Sequence, residues 1–245
     1  MVEIYVGTSG WSYDWNPDGF RWYASSSNLN AIELNASFYR IPYRSMVIGW
    51  LRYSREKNIR WAVKVHRRVT HVYRLRLPQA LEWFNKLREV IKPLEEFNLL
   101  DFYLFQLPPT FNALPNNWER IVNFFSKLDL GWMAALEWRH HTWFSGEWVD
   151  KAREHEITVV SVDAPEYRFY AKSGPYVYLR MHGRTLWYAH RYSTGELVDV
   201  AKKILGLNAQ KIYVFFNNDH DMLDNARELK SILEELISGK KKRAP

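Results

Sequence analysis

The sequence predicts an α/β fold, a single TIM-type (β/α)8 barrel with eight parallel strands, and three observations carry that reading. Eight short runs rich in β-branched and aromatic residues recur along the 245 residues, apolar residues at helical spacing fill the intervals, and no Gly/Ser/Pro-rich linker splits the chain. Strands that alternate with helices pair in parallel, because each crossover returns the chain to the end of the sheet where the last strand began. Eight such strands close a barrel.

The strands in order are residues 4–11 (IYVGTSGW), 31–37 (AIELNAS), 61–66 (WAVKVH), 102–108 (FYLFQLP), 133–139 (MAALEWR), 158–163 (TVVSVD), 177–183 (VYLRMHG) and 212–218 (IYVFFNN). Leu81, Phe84, Leu87 and Ile91 mark a helix after the third, and Ile121, Val122 and Phe125 one after the fourth. Ala226, Leu229, Ile232, Leu233 and Leu236 mark the last, each set forming one apolar stripe. Two crossovers read as irregular. The first is short and Ser/Asn-rich, and the sixth, residues 164–175, holds two prolines and a glycine.

With 47% hydrophobic and 25% charged residues the chain is globular, and residues 1–239 are read as one barrel domain. Residues 240–245 are read as a basic tail: Lys240, Lys241, Lys242 and Arg243 supply four of the seven net positive charges. The first residues lead directly into a strand, with no signal segment, and no apolar run approaches the roughly 18 residues of a membrane span. A cytoplasmic protein with no membrane partner is expected. The absence of cysteine excludes disulfides, thiolate metal ligands and a cysteine nucleophile. Aromatics at 16%, twelve of them Trp, suit stacking on bases or sugars as well as a core.

In a closed barrel alternate side chains point to the axis. With Glu33 and Asn35 taken as inward, the equivalent positions are Lys64 and His66, Gln106, Glu137 and Arg139, Asp163, Arg180 and His182, and Asn217. These polar residues sit at the C-terminal ends of the strands, where barrels of this type carry their sites.

The motifs GTSGW (7–11), IELNASFYRIP (32–42), VKVHRRVTH (63–71), FQLPPTF (105–111), ALEWRHHTWF (135–144), YLRMHGR (178–184) and FFNND (215–219), followed by Asn225-Ala226, resemble the domain-of-unknown-function 72 family, also called YecE-like. The resemblance runs from the first strand to the last helix. It implies a TIM-type barrel and brings no defined reaction with it.

Chemistry therefore has to be read from the residues. Glu33, Glu137, Asp163 and His182 are the catalytic candidates, His182 being the proton-transfer group suited to neutral pH. Trp11, Asn35, Lys64, His66, Gln106, Arg139, Arg180, Arg184, Asn217 and Asn218 are the substrate-binding candidates. The loops opening with His182-Gly183-Arg184 and Asn217-Asn218-Asp219 follow the last two strands, where barrels often seat a phosphate.

Metal ligands are present by type, but Lys64, Arg139 and Arg180 share the same parity and repel a cation, so no metal site is assigned and no nucleotide-cofactor motif is found. The expectation is acid/base chemistry, hydrolytic or lyase, on a phosphate-containing ligand: an anionic small molecule or nucleic acid. Two alternatives stand beside it. One is a glycosidase using Glu33 and Glu137, and the other is a nucleic-acid-binding protein without turnover.

Overall fold

The structure, a computed structural model, describes residues 2–241. The basic tail read over 240–245 lies outside them except for the backbone of its first two residues, which end the last helix. The strands are β1 (Glu3–Ser9), β2 (Ala31–Leu34), β3 (Arg60–Lys64), β4 (Leu100–Gln106), β5 (Ala134–Glu137), β6 (Thr158–Asp163), a two-residue β7 (Arg168–Phe169), β8 (Tyr176–Met181) and β9 (Lys211–Phe216). Between them run α1 (Gly19–Ser26), α2 (Arg44–Lys57), α3 (Gln79–Glu96), α4 (Pro115–Phe125), α5 (Gly146–Glu154) and α6 (Thr194–Gly206), and α7 (Met222–Lys241) follows.

Eight strands pair in parallel in the order β5-β4-β3-β2-β1-β9-β8-β6, and β5 pairs β6 to close the ring. Closure leaves no free edge, so backbone donors and acceptors of the strands are satisfied around the barrel. The β5–β6 pairing ends at Leu136 and Val159. Above it β7 runs antiparallel against the upper end of β6, pairing Phe169 with Val162 and Arg168 with Asp163.

Two apolar layers follow from the alternation. Ala31, Ala62, Phe102, Leu104, Ala135, Val160, Tyr178, Tyr213 and Phe215 form the buried cluster inside the barrel. Ile32, Val63, Phe105, Leu136, Leu179 and Val214 belong to the larger cluster under the helices. Phe102 meets Tyr178 and Tyr213 at 5.0 and 4.8 Å between ring centroids, so aromatics plug the N-terminal end. The C-terminal end of the interior is polar, while the N-terminal end carries the Arg60–Asp101 ion pair below these rings. At Gly7 a Cβ would lie 2.1 Å from the Ala31 carbonyl oxygen, so any side chain there would push β1 and β2 apart.

The first crossover carries a helix after all. Phe20, Tyr23 and Ala24 of α1 are buried, and the Tyr23 hydroxyl accepts from the Thr8 N–H (3.1 Å) while donating to the Ala31 carbonyl (2.8 Å), which pins α1 to β1 and β2. The sixth has none. Ser161 and Ser173 instead bond its backbone, Ser161 Oγ to both Ala171 N–H and C=O (3.0 Å each), and Ser173 Oγ to Val159 N–H (2.8 Å) and Ile157 C=O (2.7 Å). Among the described residues no helix is long and apolar enough to cross a membrane.

Candidate functional site

Strand register brings Ser9, Glu33, Lys64, Gln106, Glu137 and Arg180 to the inner face, through the pairs Ser9–Glu33, Lys64–Leu104, Gln106–Glu137 and Val162–Arg180. Arg180 is the hub. Its Nε and Nη2 donate to Glu33 Oε2 (2.9 Å) and Oε1 (2.6 Å), and its Nη1 donates to Glu137 Oε2 (2.7 Å). The Glu33 carboxylate also accepts from Tyr178 Oη (2.6 Å) and Ser9 Oγ (2.7 Å), so both oxygens carry two donors. Those four donors offset the cost of burying the carboxylate.

Glu137 Oε1 lies against Arg139 Nε without hydrogen-bond alignment and 3.4 Å from His182 Nε2. Burial pushes the Glu137 carboxyl up, but Arg139, Arg180 and the His182 contact outweigh it and hold the group well below the usual range. His182 is pushed well below its ordinary value by burial and then by the same two arginines, so it is neutral at pH 7. Arg139 Nη2 stands 3.1 Å from His182 Nε2. The His182 Nδ1 faces Asn217 Nδ2 3.2 Å away.

Lys64 differs from its neighbours. It is 7% exposed, its Nζ lies 4.2 Å from the centre of the Phe38 ring, and among the described residues it has no carboxylate within ion-pair distance and no hydrogen-bond acceptor. Burial, reinforced by Arg180, lowers its pKa to about 7. Phe38 in turn packs edge-on against His71 at 4.9 Å. His71 is lowered to about 4 by burial and by Lys64, Arg139, Arg67 and Arg74.

Two cavities open beside this ring. One of about 540 Å³ is lined by Ser9, Trp11, Tyr13, Asn35, Tyr39, Tyr43 and Trp50 among others. Asn35 Oδ1 is enclosed there without a donor. Trp11 is packed edge-on against Phe20, Trp50 and Trp61 and is 9% exposed, a wall of the cavity more than a free platform. The second, about 490 Å³, is lined by Tyr39, His66, Arg67, Arg68, Val72, Tyr73 and Trp83. His66 stacks on Trp83 at 4.8 Å; its Nδ1 accepts from Arg68 N–H (3.2 Å), which leaves Nε2–H to donate to the Tyr39 carbonyl (3.2 Å). Gln106 and Asn217 are half-buried.

Asp163 was expected to face inward, and the register corrects this. Val162 pairs with the inward Arg180 and Asp163 with the outward Met181. Outside the ring, Asp163 accepts from Arg184 Nε (3.0 Å) and Nη2 (2.8 Å), from Tyr192 Oη (3.0 Å) and from Tyr170 Oη. Arg184 is therefore turned toward Asp163, with Glu196 and Asp199 3.7 and 3.6 Å away, and not toward the expected phosphate seat. The reason is the positive φ of Gly183 (106°), which swings the chain away just after His182. Asn218, 1% exposed, donates to the His190 carbonyl (2.7 Å) and Asn225 Oδ1 (2.9 Å), a loop-holding role.

The sequence reading missed Ser9, Tyr178 and Phe38. Parity counted back from Arg180 reveals Tyr178; Ser9 is placed beside Glu33 by the register of β1 with β2, and Phe38 reaches Lys64 from the segment after β2. Among the described residues no group of three or more His, Asp or Glu side chains is placed to hold a metal ion.

The family model described as "Protein of unknown function DUF72" matches residues 5–245. The chain belongs to the DUF72 family. A curated relative, the UPF0759 protein YunF of Bacillus subtilis, is 27% identical over 278 residues, covering 96% of each chain. The crystal structure of a DUF72 protein from Thermotoga maritima superposes with a TM-score of 0.85 at 27% identity, covering 95% of this chain and 99% of that one. One from Enterococcus faecalis gives 0.81 at 24% identity, covering 94% and 95%. The DUF72 barrel is thus the shared frame, and the charged ring described above sits at its C-terminal mouth.

Proposed function

We propose that this DUF72 barrel is an enzyme acting on a phosphate-bearing ligand at its C-terminal mouth. The observation that carries the reading is the gathering of cations at the mouth: Lys64 stands beside Phe38 and His71 without a carboxylate partner among the described residues, and Arg67 and Arg68 line the adjoining cavity. Cations gathered around a neutral imidazole raise the local potential, and an anion brought there is held by charge-assisted hydrogen bonds. The buried Glu33–Arg180–Glu137 bridge forms the rigid floor of that site and fixes Arg139 and His182.

The same bridge argues against the glycosidase reading. A glycosidase acid needs a raised carboxyl pKa, whereas Glu137 is held well below the usual range and both carboxylates are fully enclosed. Nucleic acid is the favoured carrier of the phosphate, because the aromatic cavity and the Arg67–Arg68 cavity adjoin at Tyr39, pairing stacking faces with phosphate-binding cations.

The test is a histidine titration by NMR with and without inorganic phosphate, followed by binding of a single-stranded oligonucleotide at several salt concentrations. Phosphate bound at the mouth raises the His71 pKa, and Arg67→Ser with Arg74→Ser abolishes that rise. An unmoved His71 at saturating phosphate sinks the proposal. Salt-dependent oligonucleotide binding without any product converts the reading to the non-catalytic one.

A further inference from the structure

We infer that Lys64 is a nucleophilic amine that forms an imine with a phosphorylated aldehyde or ketone. The inference rests on the phosphate reading above and names the second functional group of the ligand. Four features of the geometry lead to it. First, Lys64 points into the same inner ring as Glu33 and Glu137, yet both carboxylates are taken by arginines and no carboxylate pairs with Nζ among the described residues. A lysine kept for an ion pair would have one, because an unpaired buried ammonium is costly.

Second, the Phe38 ring covers one side of Nζ at 4.2 Å, so the amine has lost part of its hydration. Third, Arg180 and Arg139 stand near it as fixed cations that cannot release a proton, leaving Lys64 as the cation of this ring that can become neutral. Fourth, it stands at the C-terminal end of β3, where ligands enter, with rim cations Arg67 and Arg74 gathered at the adjoining His71.

Desolvation beside other cations is the usual way a lysine is made nucleophilic, and the lowered pKa of Lys64, about 7, agrees with it. The step balances as follows. The neutral amine attacks the carbonyl carbon and forms a C–N bond; both amine protons leave with the carbonyl oxygen as water, giving C=N. One proton from solvent then makes the iminium, which draws electrons from the neighbouring carbon–hydrogen or carbon–carbon bond. No oxidant or reductant enters.

The experiment uses the full chain at neutral pH with D-glyceraldehyde 3-phosphate and sodium cyanoborohydride, which reduces an imine to a stable secondary amine, followed by peptide mass mapping. Exposed Lys57 and Lys127 serve as internal references. The free-amine fraction at pH 7 favours Lys64 by about a thousandfold, and lower basicity takes back part of that, so adduct formation on the order of tenfold faster or more is expected at Lys64. Excess inorganic phosphate slows it, and unphosphorylated D-glyceraldehyde reacts more slowly.

Adduct spread over the exposed lysines with Lys64 no faster than they are overturns the imine. If phosphate still raises the His71 pKa in that case, the anion site stands without it. If Lys64 reacts preferentially but equally with both aldehydes, the imine stands and the phosphate reading falls. The wild-type chain carries every arm, and Lys64→Arg, which keeps the charge, is expected to lose the Lys64 adduct alone.

Discussion

Arg180 holds Glu33 in a two-pronged ion pair inside the barrel, Nε to Oε2 at 2.9 Å and Nη2 to Oε1 at 2.6 Å, with neither side chain exposed. Its remaining Nη1 reaches Glu137, so one guanidinium bridges two carboxylates from strands on different sides of the ring, and Arg139 beside Glu137 supplies the second positive charge. Arg180→Met leaves both carboxylates enclosed without that cation. A loss of about 3–5 kcal/mol in urea unfolding is expected. Adding Glu33→Gln to it is expected to cost less than the two single losses together, since the second change removes a charge the first left unpaired. Simple additivity would show that the bridge is not coupled as the geometry indicates.

Acid unfolding reports on the other end of the bridge. The folded Glu137 pKa is depressed, so its contribution is fully present above the unfolded value of roughly 4.3 and is lost as pH falls through the folded one. Stability measured by tryptophan fluorescence is expected to drop below about pH 4, and less steeply in Glu137→Gln than in the wild type.

Lys64 gives a slope of the same sign in a higher pH window. Its folded pKa of about 7 lies below the unfolded value, so the unfolded chain binds more protons between the two and stability rises with pH in that window. From pH 7 to 9 the gain is about 2 kcal/mol. The corresponding measurement is urea unfolding of the wild type and Lys64→Met across that range. The variant is expected to lack this rise and to be the more stable protein at pH 7. Parallel pH profiles would mean that Lys64 titrates normally.

Asp163 is predicted to matter for folding and not for the ligand. Asp163→Asn weakens the Arg184 clamp and the Tyr170 and Tyr192 contacts, for an expected loss of about 3 kcal/mol. The response of His71 to phosphate is expected to stay as in the wild type. A variant with normal stability and no phosphate response would return Asp163 to the site.

The eight-strand barrel and the inward set Glu33, Lys64, Gln106, Glu137 and Arg180 were legible in the sequence, because side-chain alternation in a strand is local and polar residues gathered at strand ends mark one end of the interior. Alternation fixes which residues share a face and leaves open which face is inside. In TVVSVD the polar Ser161 and Asp163 share a parity as Glu33 and Asn35 do, yet the register of β6 with β8 turns Asp163 outward. The sequence by itself determined the frame and most of the ring. Which carboxylate each arginine takes, and that Lys64 is left without one, depended on distances across the barrel between residues as far apart as Glu33 and Arg180, 147 positions along the chain. Only the closed tertiary structure sets those distances.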